Sequence, residues 1–205
     1  MPHRVFLLSP ARSSGRRCDL LLAPDSASDL ARRLRGGGAP IGEVMAFLSS
    51  LYFRGKLAYA ERFASRADGG VFVITPDRGL VAPGTHIGAT DLRAFARVPI
   101  DCAEPRYVAP LRDHALALRA RLPARAEVVL LGSIATPKYV DVLLAAFGRS
   151  LHFPRDFVGR GDMSRGGLLL RAARAGVELA YGPVAGTERR GVRAARIETL
   201  FPTGR

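Results

Sequence analysis

An α/β fold, with a largely parallel central sheet flanked by helices in a single domain, is predicted by three observations. Three short, almost wholly apolar runs, Val5 to Leu8, Val71 to Ile74 and Val128 to Leu131, each end in turn residues, as strands buried on both faces do. Segments whose apolar residues recur at helical spacing lie between them, so strands and helices alternate. With 205 residues, 48% hydrophobic and 24% charged, the chain can bury one continuous core, and disorder, collagen and coiled coil are excluded as whole-chain descriptions.

In chain order, Val5 to Leu8 is the first strand and Ser9-Pro10 its polar exit. Asp25 to Asp29 offers N-caps for a short helix through Arg35, which Gly36-Gly37-Gly38 ends. From Pro40 to Ser65, residues Ile41, Val44, Met45, Leu48, Leu51, Tyr52, Gly55, Tyr59 and Phe63 share a face at 100° per residue. That stretch is either one long amphipathic helix or two helices broken near Gly55. Val71 to Thr75 is the clearest strand, β-branched and aromatic, and a turn-rich loop follows it. Asp91 to Ala96 reads as one helical turn and Pro110 to Leu122 as a helix with a basic outer face. Val128 to Ser133 is the third strand, and Thr136-Pro137 starts a helix that ends near Gly148. Ser150 to Phe153 reads as a short edge strand, Leu168 to Ala175 as a helix and Glu178 to Tyr181 as a last, weaker strand. Residues 1–186 form the expected domain, and residues 187–205 a basic, flexible tail. There is no internal repeat.

The formal charge is +13, and the cations are 29 Arg against 2 Lys. Such a skew is what a GC-rich genome produces on ordinary surface, which makes the two retained lysines, Lys56 and Lys138, stand out. A compact ammonium or a shiftable pKa is what arginine cannot supply. The net charge favours polyanionic partners, nucleic acid (DNA) or a phosphorylated or otherwise anionic small molecule. Two cysteines 84 residues apart, Cys18 and Cys102, point to a reducing compartment, and no apolar run reaches membrane-spanning length. The expectation is a cytoplasmic protein with no membrane partner. His3, His86, His114 and His152 are scattered, without Glu or Cys at ligand spacing, so neither a metal nor another cofactor is expected.

In open α/β sheets ligands bind beyond the carboxyl ends of the strands, and the polar clusters of this chain fall there. The first strand delivers Ser9 and Arg12, and the third delivers Gly132-Ser133 and then Lys138-Tyr139. The segment Gly159 to Gly167 has four glycines in nine residues and leads into a helix. Free amides there make an anion cradle that Arg160, Ser164 and Arg165 would complete; the alternative is a glycine-rich turn with a cap and a surface ion pair. Asp162 orients an arginine, caps the helix or acts as an acid/base. Around Arg54 and Lys56 aromatics interleave with cations, which suits base stacking over phosphates, while helical spacing favours Tyr52, Gly55 and Tyr59 as core with Lys56 at its margin. No GxGxxG, GxxxxGK[ST] or GxSxG pattern is present.

Taken together and in order, Phe6-Leu7-Leu8-Ser9-Pro10-Ala11-Arg12, Phe53-Arg54-Gly55-Lys56, Gly79-Leu80-Val81-Ala82-Pro83 and Gly159 to Arg165 resemble the YaaA-type peroxide-stress protein family. The stretch from Val129 to Tyr139 is similar as well. This chain departs from the family pattern at Arg12, where a lysine is usual, at Lys56, where an aspartate is usual, and at Ile87 to Thr90, where a Pro-Tyr-Arg run is usual. The resemblance implies a cytoplasmic α/β protein with a cationic cleft that binds DNA, linked to protection against oxidative damage. Its anion contacts would be Ser9, Arg12, Arg54, Lys56, Arg160, Ser164 and Arg165. The alternative is an enzyme acting on a nucleotide, a modified purine base or another anionic small molecule, with Asp162 and Lys138 or Lys56 as acid/base or electrostatic groups.

Overall fold

The computed structural model describes residues 3–65 and 70–188. Its elements, in order, are β1 (Arg4–Leu8), α1 (Arg16–Leu22), α2 (Asp29–Arg35), β2 (Ala39–Pro40), α3 (Ile41–Ser49), α4 (Leu51–Phe63), β3 (Val71–Ile74), β4 (Leu80–Val81) and β5 (His86–Ile87). They continue with α5 (Ala89–Ala96), α6 (Pro105–Arg121), β6 (Glu127–Leu131), α7 (Pro137–Phe147), β7 (Leu151–Pro154), α8 (Asp162–Ala175) and β8 (Tyr181–Pro183).

The main sheet runs β4-β3-β1-β6-β7-β8. Its four central strands are parallel, and β4 and β8 close the two edges antiparallel. The apolar runs occupy the centre because they are covered on both faces: Val5 to Leu8 and Val128 to Leu131 have no exposed surface. Helices α4 and α8 pack together, as do α6 and α7. The described residues share one continuous hydrophobic core, and none of their helices is long and apolar enough to cross a membrane. The short β2 and β5 pair separately, antiparallel.

Several boundaries differ from the sequence expectation. The helical stretch after Pro40 breaks at Ser50, which takes a φ of 53°, and not at Gly55. Gly55 is needed for another reason: a Cβ there would lie 2.6 Å from the carbonyl oxygen of Gly166, so α4 and α8 cross backbone against backbone. Gly166 answers in kind, a Cβ on it falling 2.8 Å from the Cα of Tyr52. The glycine-rich segment is therefore largely helical, with α8 beginning at Asp162, six residues before the expected Leu168.

Strand β7 is not an edge, because β8 pairs beyond it, and β8 lies slightly later in the chain than Glu178 to Tyr181. Helix α6 starts at Pro105 and carries Pro110 inside it. Beyond Glu188 the expected basic tail falls outside the described residues.

Candidate functional site

Because β1 and β6 are paired through Leu8 and Leu131, their exits stand level, Ser9 beside Gly132. The chain leaves β1 toward β3 on one side and leaves β6 toward β7 on the other. Two adjacent strands whose connections diverge leave a crevice at their carboxyl ends. A cleft of about 690 Å³ lies there, within the size range of small-molecule sites. The β1 exit supplies Ser9, Arg12 and Ser13, α4 supplies Tyr52, α7 supplies Lys138 and Tyr139, and α8 supplies Asp162. The opposite wall is mostly apolar, Phe95 to Ile100.

Behind the Ser9 and Tyr52 side of the cleft stands Lys56, 1% exposed. Its Nζ donates to the Ser9 carbonyl oxygen at 2.6 Å and lies 3.0 Å from Ser9 Oγ. The Tyr52 and Phe53 rings sit 4.3 and 4.8 Å from it, and no carboxylate reaches it as an ion-pair partner among the described residues. Burial disfavours the ammonium and brings the pKa of Lys56 down to about 7; Asp162 opposes that shift from a distance and Arg165 adds to it. The Tyr139 hydroxyl lies close by, against Gly132 as Ser9 Oγ does; burial raises its pKa, and Ser9 and the Ser133 backbone oppose that rise. Glycine at position 132 makes the cluster possible. A Cβ there would meet Ser9 Cβ at 2.8 Å and both Ser9 Oγ and the Tyr139 oxygen at 3.0 Å.

The residues expected to act together divide into three sets. Ser9, Arg12, Lys138 and Asp162 do line one cleft. Lys56 is not at the margin of the core but fully inside it, because the Ser9 carbonyl and two aromatic faces replace part of its hydration. Arg160 and Arg165 are buried, and their donors hold the α8 approach together. Arg160 Nε donates to the Asp156 carbonyl at 2.7 Å and NH1 to Ser164 Oγ at 3.2 Å. Arg165 Nε and NH2 both donate to the Phe157 carbonyl at 3.2 Å, and NH1 reaches Asp162 Oδ1 at 3.3 Å. Neither arginine is laid out as an open phosphate clamp. Arg54 is exposed on the other side of α4, in a surface depression with Arg17, Arg33 and Glu43.

Two cleft groups not put forward as site residues from the sequence are Ser13, which belongs to the polar exit of the first strand, and Tyr52, which is core as its helical spacing suggests. Each is about nine-tenths buried, lines the cleft, and has a hydroxyl without a hydrogen-bond partner. Burial holds the Tyr52 proton well above the usual phenol range, although the Arg165 guanidinium beside it favours release. Both α7 and α8 present their N-terminal turns to the cleft through Lys138, Tyr139 and Asp162, which favours negative charge there. No group of three or more His, Cys, Asp or Glu among the described residues is placed to hold a metal ion.

Compared with protein-family models, curated proteins and solved structures, the chain matches none of the three.

Proposed function

We propose that the protein binds an anionic small molecule, of nucleotide size or smaller, in the switch-point cleft and acts on it as an enzyme. The observation that carries this reading is that Ser13 and Tyr52, whose buried hydroxyls make no hydrogen bond of good geometry, line the same cleft as Ser9, Lys138 and two helix N-termini. A buried polar group left unpaired costs about 1–3 kcal/mol, a cost that a ligand accepting or donating at that point removes. Arg12 and Lys138, both exposed at the cleft, attract the anion, while the apolar stretch from Phe95 to Ile100 suits a flat or hydrophobic portion of it. The two unpaired cysteines are in keeping with work in the reducing cytoplasm.

The second reading is a DNA-binding protein of the peroxide-stress type. It draws on the +13 charge and on the exposed Arg12, Arg16 and Arg17 around the β1 exit. It is weakened by Arg160 and Arg165, whose donors are engaged within the protein, and by Arg54, which faces elsewhere.

Thermal-shift measurements with nucleotides, purine bases and phosphorylated metabolites, beside duplex and single-stranded DNA, separate the two at roughly 50 and 500 mM salt. A small molecule that raises the melting temperature at both salts, and does so less in Tyr52→Phe, is the expected result. Shifts by DNA alone, vanishing at the higher salt, would transfer the function to the polyanion reading.

A further inference from the structure

The cluster behind the cleft wall has the composition of a nucleophile with its base. Ser9 stands at the carboxyl end of a central strand and lines the cleft, with Lys56 Nζ at 3.0 Å and the Tyr139 hydroxyl close by across Gly132. We propose that Ser9 is an activated nucleophile for acyl transfer, with Lys56 as its general base and Tyr139 as the donor that steadies its oxygen, acting on an ester or amide that carries an anionic group. The proposal deepens the enzyme reading of the same cleft, and it names a reaction class that the cleft alone does not.

The hydrogen-bond accounting has two consistent arrangements. With Lys56 charged, the ammonium donates to the Ser9 carbonyl and to Oγ, and the Ser9 proton must point away from Lys56. With Lys56 neutral, one N–H still serves the carbonyl at 2.6 Å while the lone pair accepts the Ser9 Oγ–H, which leaves Oγ open to a donor such as the nearby Tyr139 hydroxyl. The second arrangement is that of a general base poised over a hydroxyl. A lysine serves this role only when its ammonium is disfavoured, and burial without a paired carboxylate does that here.

The chemistry balances without any further reactant than water. Ser9 Oγ attacks the carbonyl carbon as its proton passes to Lys56 Nζ, forming the C–Oγ bond. The bond from that carbon to the leaving oxygen or nitrogen breaks, and the leaving group takes the proton from Lys56. Water then attacks the acyl-Ser9, gives a proton to Lys56 and releases the acid, after which the proton returns to Ser9. Lys138, on the cleft wall, supplies positive charge to the anionic part of the substrate.

Groups that bear on the titration of Lys56 are Asp162 and Arg165 from α8, Tyr52 from its own helix, and Tyr139 from α7 through Ser9. The experiment uses a fluorophosphonate on the purified full-length chain, with the adduct located by peptide mass spectrometry. In this reaction Oγ displaces fluoride from phosphorus, the O–P bond replaces P–F, and the proton leaves through Lys56. The readout needs no nucleotide, so failure of the nucleotide-binding reading and failure of this one are told apart.

The expected result is a single adduct on Ser9 whose rate rises with pH with a midpoint near the Lys56 value of about 7. It should be absent in Ser9→Ala, about 100-fold slower in Lys56→Met and measurably slower in Tyr139→Phe. Melting curves of each variant separate lost reactivity from lost folding, and the pH profile of the unaltered protein stands even where a variant does not fold. No Ser9 adduct from folded protein at pH 9 would overturn the proposal. An undiminished rate in folded Lys56→Met, or a rate flat across pH 6 to 9, would overturn Lys56 as the base.

Discussion

The two ends of β1 carry two polar clusters built from the same pair of elements and finished in opposite ways. At the amino end Arg4 bonds Glu127 at 2.7 Å and Glu178 at 2.5 Å, Tyr59 of α4 meets Tyr181 at 2.5 Å, and the Leu179 N–H donates to the Tyr59 hydroxyl at 2.8 Å. Tyr181 in turn donates to Glu178 at 2.9 Å, so each charge has a partner. At the carboxyl end Lys56, three residues before Tyr59 on α4, has no carboxylate partner, and the hydroxyls of Ser13 and Tyr52 make no hydrogen bond of good geometry, Tyr52 having only the Arg165 guanidinium beside it. A closed network contributes stability, whereas an open one costs it and leaves valences for a ligand. The difference is the reason the proposed site is placed at the carboxyl end.

Substitutions break the comparison with opposite signs. Arg4→Met strands two carboxylates that are only part-exposed and should lower stability by about 2–3 kcal/mol, read by denaturant unfolding. Lys56→Met should do the reverse at pH 6, raising stability by about 2 kcal/mol, since the cost of burying the ammonium exceeds the hydrogen bond lost at the Ser9 carbonyl. With the folded pKa near 7 and the unfolded one near 10.5, the unfolded chain holds the extra proton between those values. The unaltered protein therefore gains stability as pH rises from 7 to 10.5, and the advantage of Lys56→Met should disappear across that window; a constant advantage would mean that Lys56 is not depressed. Tyr59→Phe should cost about 1–2 kcal/mol by orphaning the Leu179 N–H, while Tyr52→Phe changes stability by about 0–1 kcal/mol in either direction and acts on ligand affinity. The smallest effect belongs to Arg54→Ala, which should leave both ligand binding and Ser9 labelling unaltered, because Arg54 lies outside the cleft.

The central strands were legible because burial on both faces writes itself as uninterrupted apolar runs, and Val5 to Leu8, Val71 to Ile74 and Val128 to Leu131 fall where they were expected. Helix α1 escaped notice because its seven residues bury only Cys18 and Leu21, too few for a periodic signal. The two-residue β2, β4 and β5 are tertiary pairings with no pattern of their own. Of the two lysines that stand out among 29 arginines, Lys138 lies on the cleft wall and Lys56 behind it. The depth of Lys56 was hidden because what accommodates it, a carbonyl 47 residues away in sequence and two ring faces, is assembled only by folding. Arg160 and Arg165 misled for the converse reason: cations beside glycines look like a phosphate site, and here they fasten the chain to itself.

The seam at Gly55 and Gly166 brings two main chains into direct contact. Helices joined main chain to main chain have no side-chain cushion to slide on, so α4 and α8 are expected to move as one beam that keeps Lys56, Tyr52 and Asp162 in fixed relation. Whatever breathing admits a ligand then belongs to the facing segment from Phe95 to Ile100, and deuterium should enter the amides of that segment well before those buried along the beam.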